Sequence, residues 1–231
     1  MKVPLSARLL TCCNYVNQGD RVADIGCDHG YLGIHLLKSG IAQSIIAADI
    51  NEQPLHSATI NATKFGVRDK MRFFLSNGAV SIPRDFDTMV CAGMGADTMI
   101  SILTAAPWLK NQQYRLILQC QSKTPMLRRW LWEQGWFIRR ESLAKDGKFV
   151  YSVMEVVFSP TEAPALWEHY ISKALLEESS PLLKEYYDRL LHGLRLNVEG
   201  MRRSGDEALP YYEETLSQLE ALEEKINEYS G

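Results

Sequence analysis

The sequence has no Cys-x-x-Cys pair and no regular cysteine framework, since its five cysteines stand at positions 12, 13, 27, 91 and 120. This spacing excludes the usual zinc-binding patterns and the disulfide framework of a small secreted domain. The sequence also has no apolar run that approaches the roughly 18 residues of a membrane-spanning helix, and no signal-peptide pattern at its start. We therefore expect a soluble, cytoplasmic protein with no metal site and no membrane partner.

The glycine fingerprint of a dinucleotide site, Gly-x-Gly-x-x-Gly, is absent as well. The turn after the first predicted strand reads Gly26-Cys27-Asp28-His29-Gly30 instead. An acidic residue in this turn repels a pyrophosphate, which normally binds there. The same residue suits a cation such as the α-amino group of S-adenosylmethionine (SAM). The turn therefore favours SAM over a dinucleotide such as NAD.

Two apolar runs, each followed by an acidic residue, open the chain. The stretch 22–37, VADIGCDHGYLGIHLL, predicts a parallel strand, a glycine turn and an amphipathic helix. The second run, 44–48, ends at Asp49. An acid at this position is placed to accept hydrogen bonds from both hydroxyls of a ribose, although it would also serve as the N-cap of the next helix. The chain thus opens like a nucleoside-binding enzyme.

Further strands and helices alternate over residues 1–159. The sequence predicts strands at 21–25, 44–49, 71–75, 87–91 and 114–119, and helices at 5–16, 30–39, 52–64 and 124–134. Two more strand-like runs, 136–143 and 149–158, are joined by a segment with an Asp-Gly hairpin signal. Five parallel strands followed by an antiparallel hairpin predict a Rossmann-like α/β domain, 1–159, with the seven-stranded sheet of SAM-dependent methyltransferases.

Residues 160–231 predict a second, C-terminal helical domain. Apolar residues recur every three or four positions in two stripes, which are Leu182, Leu183, Tyr186, Leu190, Leu194, Val198 and Met201, then Leu209, Tyr212, Leu216, Leu219, Leu222, Ile226 and Tyr229. With a turn between them at 202–207, the stripes predict an antiparallel, coiled-coil-like helical hairpin. Such a tail can hold a substrate or a partner, or it can close on itself.

Charge is distributed unevenly between these two parts. Residues 1–159 contain 18 Lys and Arg against 13 Asp and Glu, whereas residues 160–231 contain 7 against 15, within a net charge of −3. A basic catalytic part with an acidic tail is consistent with a protein that binds a polyanion. Ordinary surface charge on a solvated helical tail explains the same count.

Ligands of an open α/β sheet lie at the carboxyl ends of its strands, where this sequence has several polar residues. Asn77 is placed to bind an adenine edge through its amide, or to form a plain Asn-Gly turn. Asp24 and Asp28 are alternatives for the α-amino group of SAM, and either could orient N–H groups of the turn instead. His29 and Tyr31 are predicted either to contact the ligand or to pack on the protein.

The fourth predicted strand is followed by Ala92-Gly93-Met94-Gly95. Enzymes that methylate an exocyclic base amine usually have (Asp/Asn)-Pro-Pro-(Tyr/Phe) there, and neither prolines nor an aromatic residue occur here. The two glycines and Met94 predict a flat, permissive wall that suits a nucleophile with a free lone pair, such as a ring nitrogen. A glycine turn for close helix packing would explain Gly95 but not Gly93.

Several motifs stand in a recognisable order: S-x-R-L at 6–9, D-I-G-C-D-H-G-Y-L at 24–32, A-G-M-G at 92–95, L-Q at 118–119 and D-G-K-F at 146–149. Over residues 5–158 the chain resembles the bacterial tRNA (adenine-N1)-methyltransferases that modify adenosine 22. The resemblance implies SAM as methyl donor, tRNA as substrate and partner, and 1-methyladenosine as product.

The resemblance also implies roles for individual residues. It makes cofactor-binding positions of Asp24, Gly26, Asp28, His29, Asp49, Asn77 and Gly93, which the adjoining Cys27, Gly30, Ile50, Gly78 and Ala92 complete. It makes catalytic positions, facing the base, of Met94, Gln119 and Tyr31. The basic residues expected to contact phosphates are Lys123, Arg128, Arg129, Arg139, Arg140, Lys145 and Lys148.

Adenine N1 has an in-plane lone pair, so we expect no strong general base, only a site that aligns two molecules and excludes water. The target nucleotide has to be exposed or flipped before transfer. We predict that the enzyme is a monomer. Two alternatives remain open at this point: a SAM methyltransferase for a small molecule or a protein, and a non-enzymatic partner-binding protein with this fold.

Overall fold

The computed structural model describes residues 3–228 of the chain. Within that range the strands are β1 (Arg21–Ile25), β2 (Ser44–Asp49), β3 (Met71–Leu75), β4 (Thr88–Met94), β5 (Arg115–Cys120), β6 (Trp136–Asp146) and β7 (Phe149–Phe158). The α-helices are α1 (Ala7–Asn14), α2 (Tyr31–Lys38), α3 (Glu52–Lys64), α4 (Ala96–Ala105), α5 (Thr124–Glu133), α6 (Lys173–Glu178), α7 (Leu183–Ser204), α8 (Leu209–Glu220) and α9 (Glu223–Glu228). Short 3₁₀ segments lie at Arg68–Lys70, Pro107–Leu109 and Leu166–His169.

All seven strands form one sheet in the order β3-β2-β1-β4-β5-β7-β6. Strands β1 to β5 pair in parallel, whereas β7 runs antiparallel to both β5 and β6. The central parallel strands are short apolar runs because both of their faces are buried. The hairpin between β6 and β7 turns at Gly147, whose φ is +60°. The predicted Rossmann-like, seven-stranded α/β sheet is therefore confirmed.

Helices cover both faces of the sheet, since successive side chains of a strand point to opposite faces. In β1, Ala23 and Ile25 belong to the apolar core under α4 and α5, whereas Val22 belongs to the core under α1, α2 and α3. Helix α4 was not assigned from the sequence. Strand β4 is also longer than predicted and runs on to Met94, with an irregular pairing to β5 after Ala92.

The predicted helical tail is confirmed, and its two long helices are antiparallel. Arg195 of α7 pairs with Glu220 of α8, Nη2 to Oε1 2.7 Å, and Arg202 pairs with Glu213, Nε to Oε1 2.8 Å. The second apolar stripe is split, because α8 ends at Glu220 and α9 begins at Glu223. The predicted stripe residue Tyr229 lies outside the described residues. No helix within residues 3–228 is long and apolar enough to cross a membrane.

A buried ion pair joins the tail to the sheet. Arg128 of α5 is 2% exposed and donates to the carboxylate of Glu141 on β6. Its remaining N–H groups donate to the carbonyl of Tyr170 (2.6 Å) and to the hydroxyl of Tyr186 (2.9 Å). The prediction that Arg128 contacts phosphate is therefore wrong, because its guanidinium is buried. The division into domains 1–159 and 160–231 stays a prediction.

Candidate active site

A cavity of about 750 Å³ opens at the carboxyl ends of β1, β2 and β4. The predicted site residues that line it are Asp24, Gly26, Cys27, Asp28, His29, Tyr31, Asp49, Ile50, Asn77, Gly78, Ala92, Gly93 and Met94. They come together because parallel strands end at the same edge of the sheet. The residues of the wall that sequence reasoning missed include Arg8, Ser76, Asp97, Thr98 and Ser101.

The turn after β1 brings the backbone of Gly26 close to the side chain of Met94 at the cavity wall. The N–H groups of Gly26 and Cys27 both donate to the carbonyl of Ala48, at 2.8 and 3.0 Å. Gly26 has a φ of +73°, and a Cβ added there would lie 2.1 Å from the Cε of Met94. Only glycine fits this position, because any side chain would be strained and would displace the methionine.

Asp49 ties together the loops that follow β1 and β2. Its two carboxylate oxygens accept hydrogen bonds from the backbone N–H of Asp28 (3.2 Å) and of Asn51 (3.0 Å). A carboxylate has about four acceptor positions, so two remain for a ligand. The side chain lines the cavity, and the residue is largely buried. This arrangement suits the pair of hydroxyls on a ribose.

Asp24 is the buried acid of the cavity. Among the described residues its Oδ2 has no hydrogen-bond partner, which is costly for a buried polar atom. Burial raises the pKa of Asp24 to about 7, the charge of Asp49 adds to the rise, and the Gly33 N–H opposes it. Asp28, by contrast, has an exposed side chain. An ammonium group in the cavity would supply the missing partner of Asp24 and lower its pKa.

We expect SAM affinity to depend on pH through Asp24. The folded-state pKa of about 7 lies above the ordinary value of an aspartate carboxyl, 3.8, so the carboxyl is mostly neutral at pH 6 and attracts an ammonium group poorly. Between pH 7.5 and pH 6 the affinity should fall on the order of tenfold. Isothermal titration calorimetry at both pH values tests this, and Asp24→Asn should bind SAM with little pH dependence.

The same raised pKa has the opposite effect on the stability of the ligand-free protein. Its folded state holds a proton on Asp24 that the unfolded chain has already lost above about pH 4, so stability should decrease as pH rises from about 4 to about 7.

Wild-type SAM affinity that stayed constant over pH 6–7.5 would contradict the role given to Asp24.

Gln119 was predicted to face the base, but it does not line the cavity. It is fully buried, and its Oε1 accepts hydrogen bonds from Nη1 of Arg8 (2.8 Å) and from the N–H of Gly93 (3.0 Å). Arg8 itself lines the cavity and pairs with Asp146, Nε to Oδ2 3.3 Å. Gln119 therefore positions Arg8 and the Gly93 backbone from behind the wall, and it touches no space that a base could fill.

The structure explains why position 93 is a glycine, which the sequence did not show. Its φ is +81°, and an added Cβ would lie 3.3 Å from Nη1 of Arg8. Gly93 thus leaves room for the guanidinium beside the flat wall. Gly30 differs from its prediction, since it lies outside the cavity lining and packs against Ala58, whose Cβ is 2.9 Å from the position of an added Cβ. Gly30 shapes the turn rather than contacting a ligand.

His29 and Tyr31 form one side of the cavity mouth. The Nε2 of His29 lies 3.6 Å from Oδ1 of Asp28, and its ring is 5.8 Å from that of Tyr31. Tyr31 also meets Phe65 edge-on at 6.5 Å. Each side chain packs on a neighbour and also lines the cavity, and contact of either one with the ligand stays a prediction.

Ser76 shapes the loop that carries Asn77. Its hydroxyl donates to the carbonyl of Gly78 (2.8 Å) and accepts from the N–H of Ser81 (3.0 Å). Asn77 is exposed and lines the cavity from this turn. The Asn77 amide is thus placed at the rim of the cavity, in the loop that follows β3, and β3 is the neighbour of the strand that ends at Asp49.

The charges of the cavity fit SAM better than a dinucleotide. Its lining contains four carboxylates, at Asp24, Asp28, Asp49 and Asp97, and one cationic side chain, Arg8. A pyrophosphate would be repelled by this set, whereas the ammonium and the sulfonium of SAM would be attracted. Within residues 3–228 no group of three or more His, Cys, Asp or Glu could hold a metal ion.

Comparison with known proteins agrees with the cavity. Residues 5–154 match the family model described as a methyltransferase domain; with its sheet and cavity, the chain is a SAM-dependent methyltransferase. It is 31% identical to a Mycoplasma genitalium protein named as a candidate tRNA methyltransferase, over 66% of this chain and 69% of that protein. It is also 29% identical to the Bacillus subtilis tRNA (adenine(22)-N(1))-methyltransferase, over 66% of this chain and 65% of the relative. The chain belongs to this bacterial tRNA methyltransferase family.

A solved structure extends the similarity to the whole chain. The crystal structure of Streptococcus pneumoniae Sp1610, a candidate tRNA (m1A22) methyltransferase in complex with S-adenosyl-L-methionine, superimposes with a TM-score of 0.75 at 25% identity. The match covers 99% of this chain and 100% of that chain. The predictions of the family and of SAM as cofactor are confirmed. The role of each site residue stays a prediction.

Proposed function

We propose that this enzyme transfers a methyl group from SAM to N1 of adenosine 22 in tRNA. The observation that carries the proposal is the cavity, whose lining combines the carboxylates of Asp24 and Asp49 with the wall of Gly93 and Met94. The (Asp/Asn)-Pro-Pro-(Tyr/Phe) motif of enzymes that methylate an exocyclic amine is absent after β4, so the wall suits a planar ring nitrogen. Membership of the family supports tRNA as the substrate.

The residues that would hold SAM follow from their places in the cavity. Asp49 would accept hydrogen bonds from the ribose hydroxyls, Asp24 would pair with the α-amino group, and Asn77 would bind the adenine edge. When bound, SAM supplies an electrophilic methyl group on its sulfonium. Each of the three polar side chains belongs to a different strand end, so the sheet fixes the distances between them.

The residues of the wall would orient the acceptor adenine. N1 attacks through its own lone pair, so the protein has to align the base and exclude water rather than remove a proton. Met94 gives the wall an apolar surface, and the Gln119 amide holds the Gly93 backbone and Arg8 in place. Among the described residues, Arg8 is then the cationic side chain that lines the cavity beside this wall. We propose in addition that the enzyme acts in the cytoplasm. We also propose that it is a monomer, since residues of one chain line the cavity.

The test is incubation with labelled SAM and unmodified bulk tRNA, followed by nucleoside analysis. We expect 1-methyladenosine, and reverse transcription should stop or misread at position 22 because a methyl group on N1 blocks Watson–Crick pairing.

Raising salt from about 50 to 200 mM should weaken tRNA binding steeply, because less free energy is gained from counterion release, whereas SAM binding should barely change. Appearance of 6-methyladenosine or methylguanosine would refute the assignment of N1. Absence of any tRNA methylation would favour a small-molecule or protein substrate.

A further inference from the structure

A second hollow, of about 650 Å³, lies between the catalytic domain and the tail. We call it the aromatic groove; its walls are the 121–126 segment, the β6–β7 hairpin, and helices α7 and α8. The aromatic side chains that line it are Phe149, Tyr151, His169, Tyr170, Tyr186, Tyr211 and Tyr212. The cations are Lys123, Arg129 and Arg189, and no Asp or Glu of the described residues lines it.

The absence of carboxylates from this lining is informative because the tail is acidic. Residues 160–231 contain 15 Asp and Glu against 7 Lys and Arg, yet the part of α7 and α8 that faces the groove presents only Arg189 as a charged side chain. The acidic groups of the tail therefore point elsewhere. A surface with several aromatic rings and only positive charge attracts an anion that has flat rings.

Two of the cations lie over aromatic rings. The guanidinium of Arg129 is 4.8 Å from the ring centre of Tyr211, and that of Arg189 is 5.4 Å from the ring centre of Tyr186. Arg129 also pairs with Glu133, and Arg189 donates to the carbonyl of Val150. The ring and the hydrogen-bond partner together restrict where each guanidinium lies, which favours donation to a phosphate from one orientation.

His169 adds a buried polar atom without a partner. It lines the groove, is 5% exposed, and forms a hydrogen bond between its Nδ1 and the hydroxyl of Tyr211 at 2.9 Å. Within residues 3–228 its Nε2 has no hydrogen-bond partner. Such an atom is costly unless a ligand or water satisfies it, so His169 has a polar contact left for a ligand that binds beside it.

The groove adjoins the SAM cavity. Lys123 lines the groove and pairs with Asp97 of the cavity wall, Nζ to Oδ2 2.8 Å. Gln121 and Ser122, at the near end of the groove, lie within 4 Å of where side chains at Gly93 and Gly95 would project. An RNA chain whose flipped adenosine reaches the Gly93–Met94 wall can therefore continue across this boundary into the groove.

We propose that the aromatic groove binds nucleotides of the tRNA next to the target adenosine, with phosphates on Arg129 and Arg189 and a base stacked on Tyr151 or Tyr212. This inference rests on the proposed function and adds the path of the RNA over the enzyme. Phosphate contacts supply affinity, and stacking on tyrosine accepts any base because every base has a flat face.

Four variants of the full chain test the groove. Tyr151→Leu and Tyr212→Leu each remove one stacking surface, and we expect tRNA binding to weaken by about 5- to 150-fold. Arg129→Ala should lower the slope of log affinity against log salt by about 0.7–0.9. Arg202→Ala is the matched control, since Arg202 is an exposed arginine of α7 outside the groove. It should leave both quantities near the wild-type values.

Fluorescence anisotropy with unmodified tRNA gives these affinities, and SAM titration checks that each variant is folded, with unchanged SAM affinity expected. If both tyrosine variants bind SAM and tRNA like the wild type, the groove does not bind RNA, although the wild-type enzyme still methylates tRNA. If the wild-type enzyme methylates no tRNA, the proposed function fails first, which is a different result. A tRNA affinity lowered equally by Arg202→Ala would also overturn the inference, because it would show a diffuse charge effect.

Discussion

Replacing Arg128 with alanine is expected to lower the free energy of unfolding by about 3–5 kcal/mol, because it leaves Glu141 buried without its cation. Glu141 is fully buried, and it also accepts hydrogen bonds from the hydroxyls of Ser152 and Ser172. These partners come from β7 and from the start of the tail, so the carboxylate is the point at which three parts of the chain meet. The hydroxyls alone cannot balance a full charge in this position.

Thermal unfolding followed by circular dichroism measures the effect. For a chain of this size, 3–5 kcal/mol corresponds to a melting temperature lower by roughly 6–20 °C. Arg129→Ala is the matched control, because the next residue of α5 is exposed and its contacts are an ion pair with Glu133 one turn away and the ring of Tyr211, so it should cost less than about 1 kcal/mol. Equal losses for the two variants would contradict the importance given to burial.

A double variant separates a missing charge from a missing contact. Arg128→Met with Glu141→Leu removes both charges and keeps apolar volume, so it should be more stable than Arg128→Ala alone. A double variant less stable than the single one would show that the hydrogen bonds to Tyr170 and Tyr186 matter more than the ion pair.

Asp49→Ala is expected to weaken SAM binding by ten- to a hundredfold, which corresponds to about 1.5–3 kcal/mol for the loss of a charged hydrogen-bond acceptor. The substitution removes the proposed acceptor of the ribose hydroxyls. It also frees the N–H groups of Asp28 and Asn51, so the two loops that border the cavity lose their common anchor. Both effects act in the same direction on affinity.

Calorimetric titration with SAM measures the change, and Asp85→Ala is the control. Asp85 is an exposed acid that pairs with Arg72 far from the cavity lining, so its loss should not change SAM affinity. Asp49→Asn should fall between wild type and Asp49→Ala, since an amide oxygen still accepts but carries no charge. A folded Asp49→Ala protein with wild-type affinity would refute the ribose assignment.

The order of the strands and the polar residues at their ends can be predicted from the sequence alone, although helix α4 was missed. Both are local properties: apolar runs bounded by glycine and acidic residues mark each strand, and parallel strands necessarily end at one edge of the sheet. Asp24, Asp49 and Asn77 could therefore be placed together before their distances were known. The family motifs around the same turns agreed with that placement.

Which polar side chains face solvent, the cavity or another part of the protein depends on the folded arrangement of the whole chain. Gln119 was predicted to face the base, but its partner Arg8 lies 111 residues earlier in the chain. Arg128 and its exposed neighbour Arg129 were both predicted to contact phosphate, but Arg128 is buried against Glu141 and the tail. The aromatic groove likewise combines side chains of the sheet and of the tail. Pairing and burial depend on contacts between residues distant in sequence, and helical or strand periodicity records only which face a residue is on, not what covers that face.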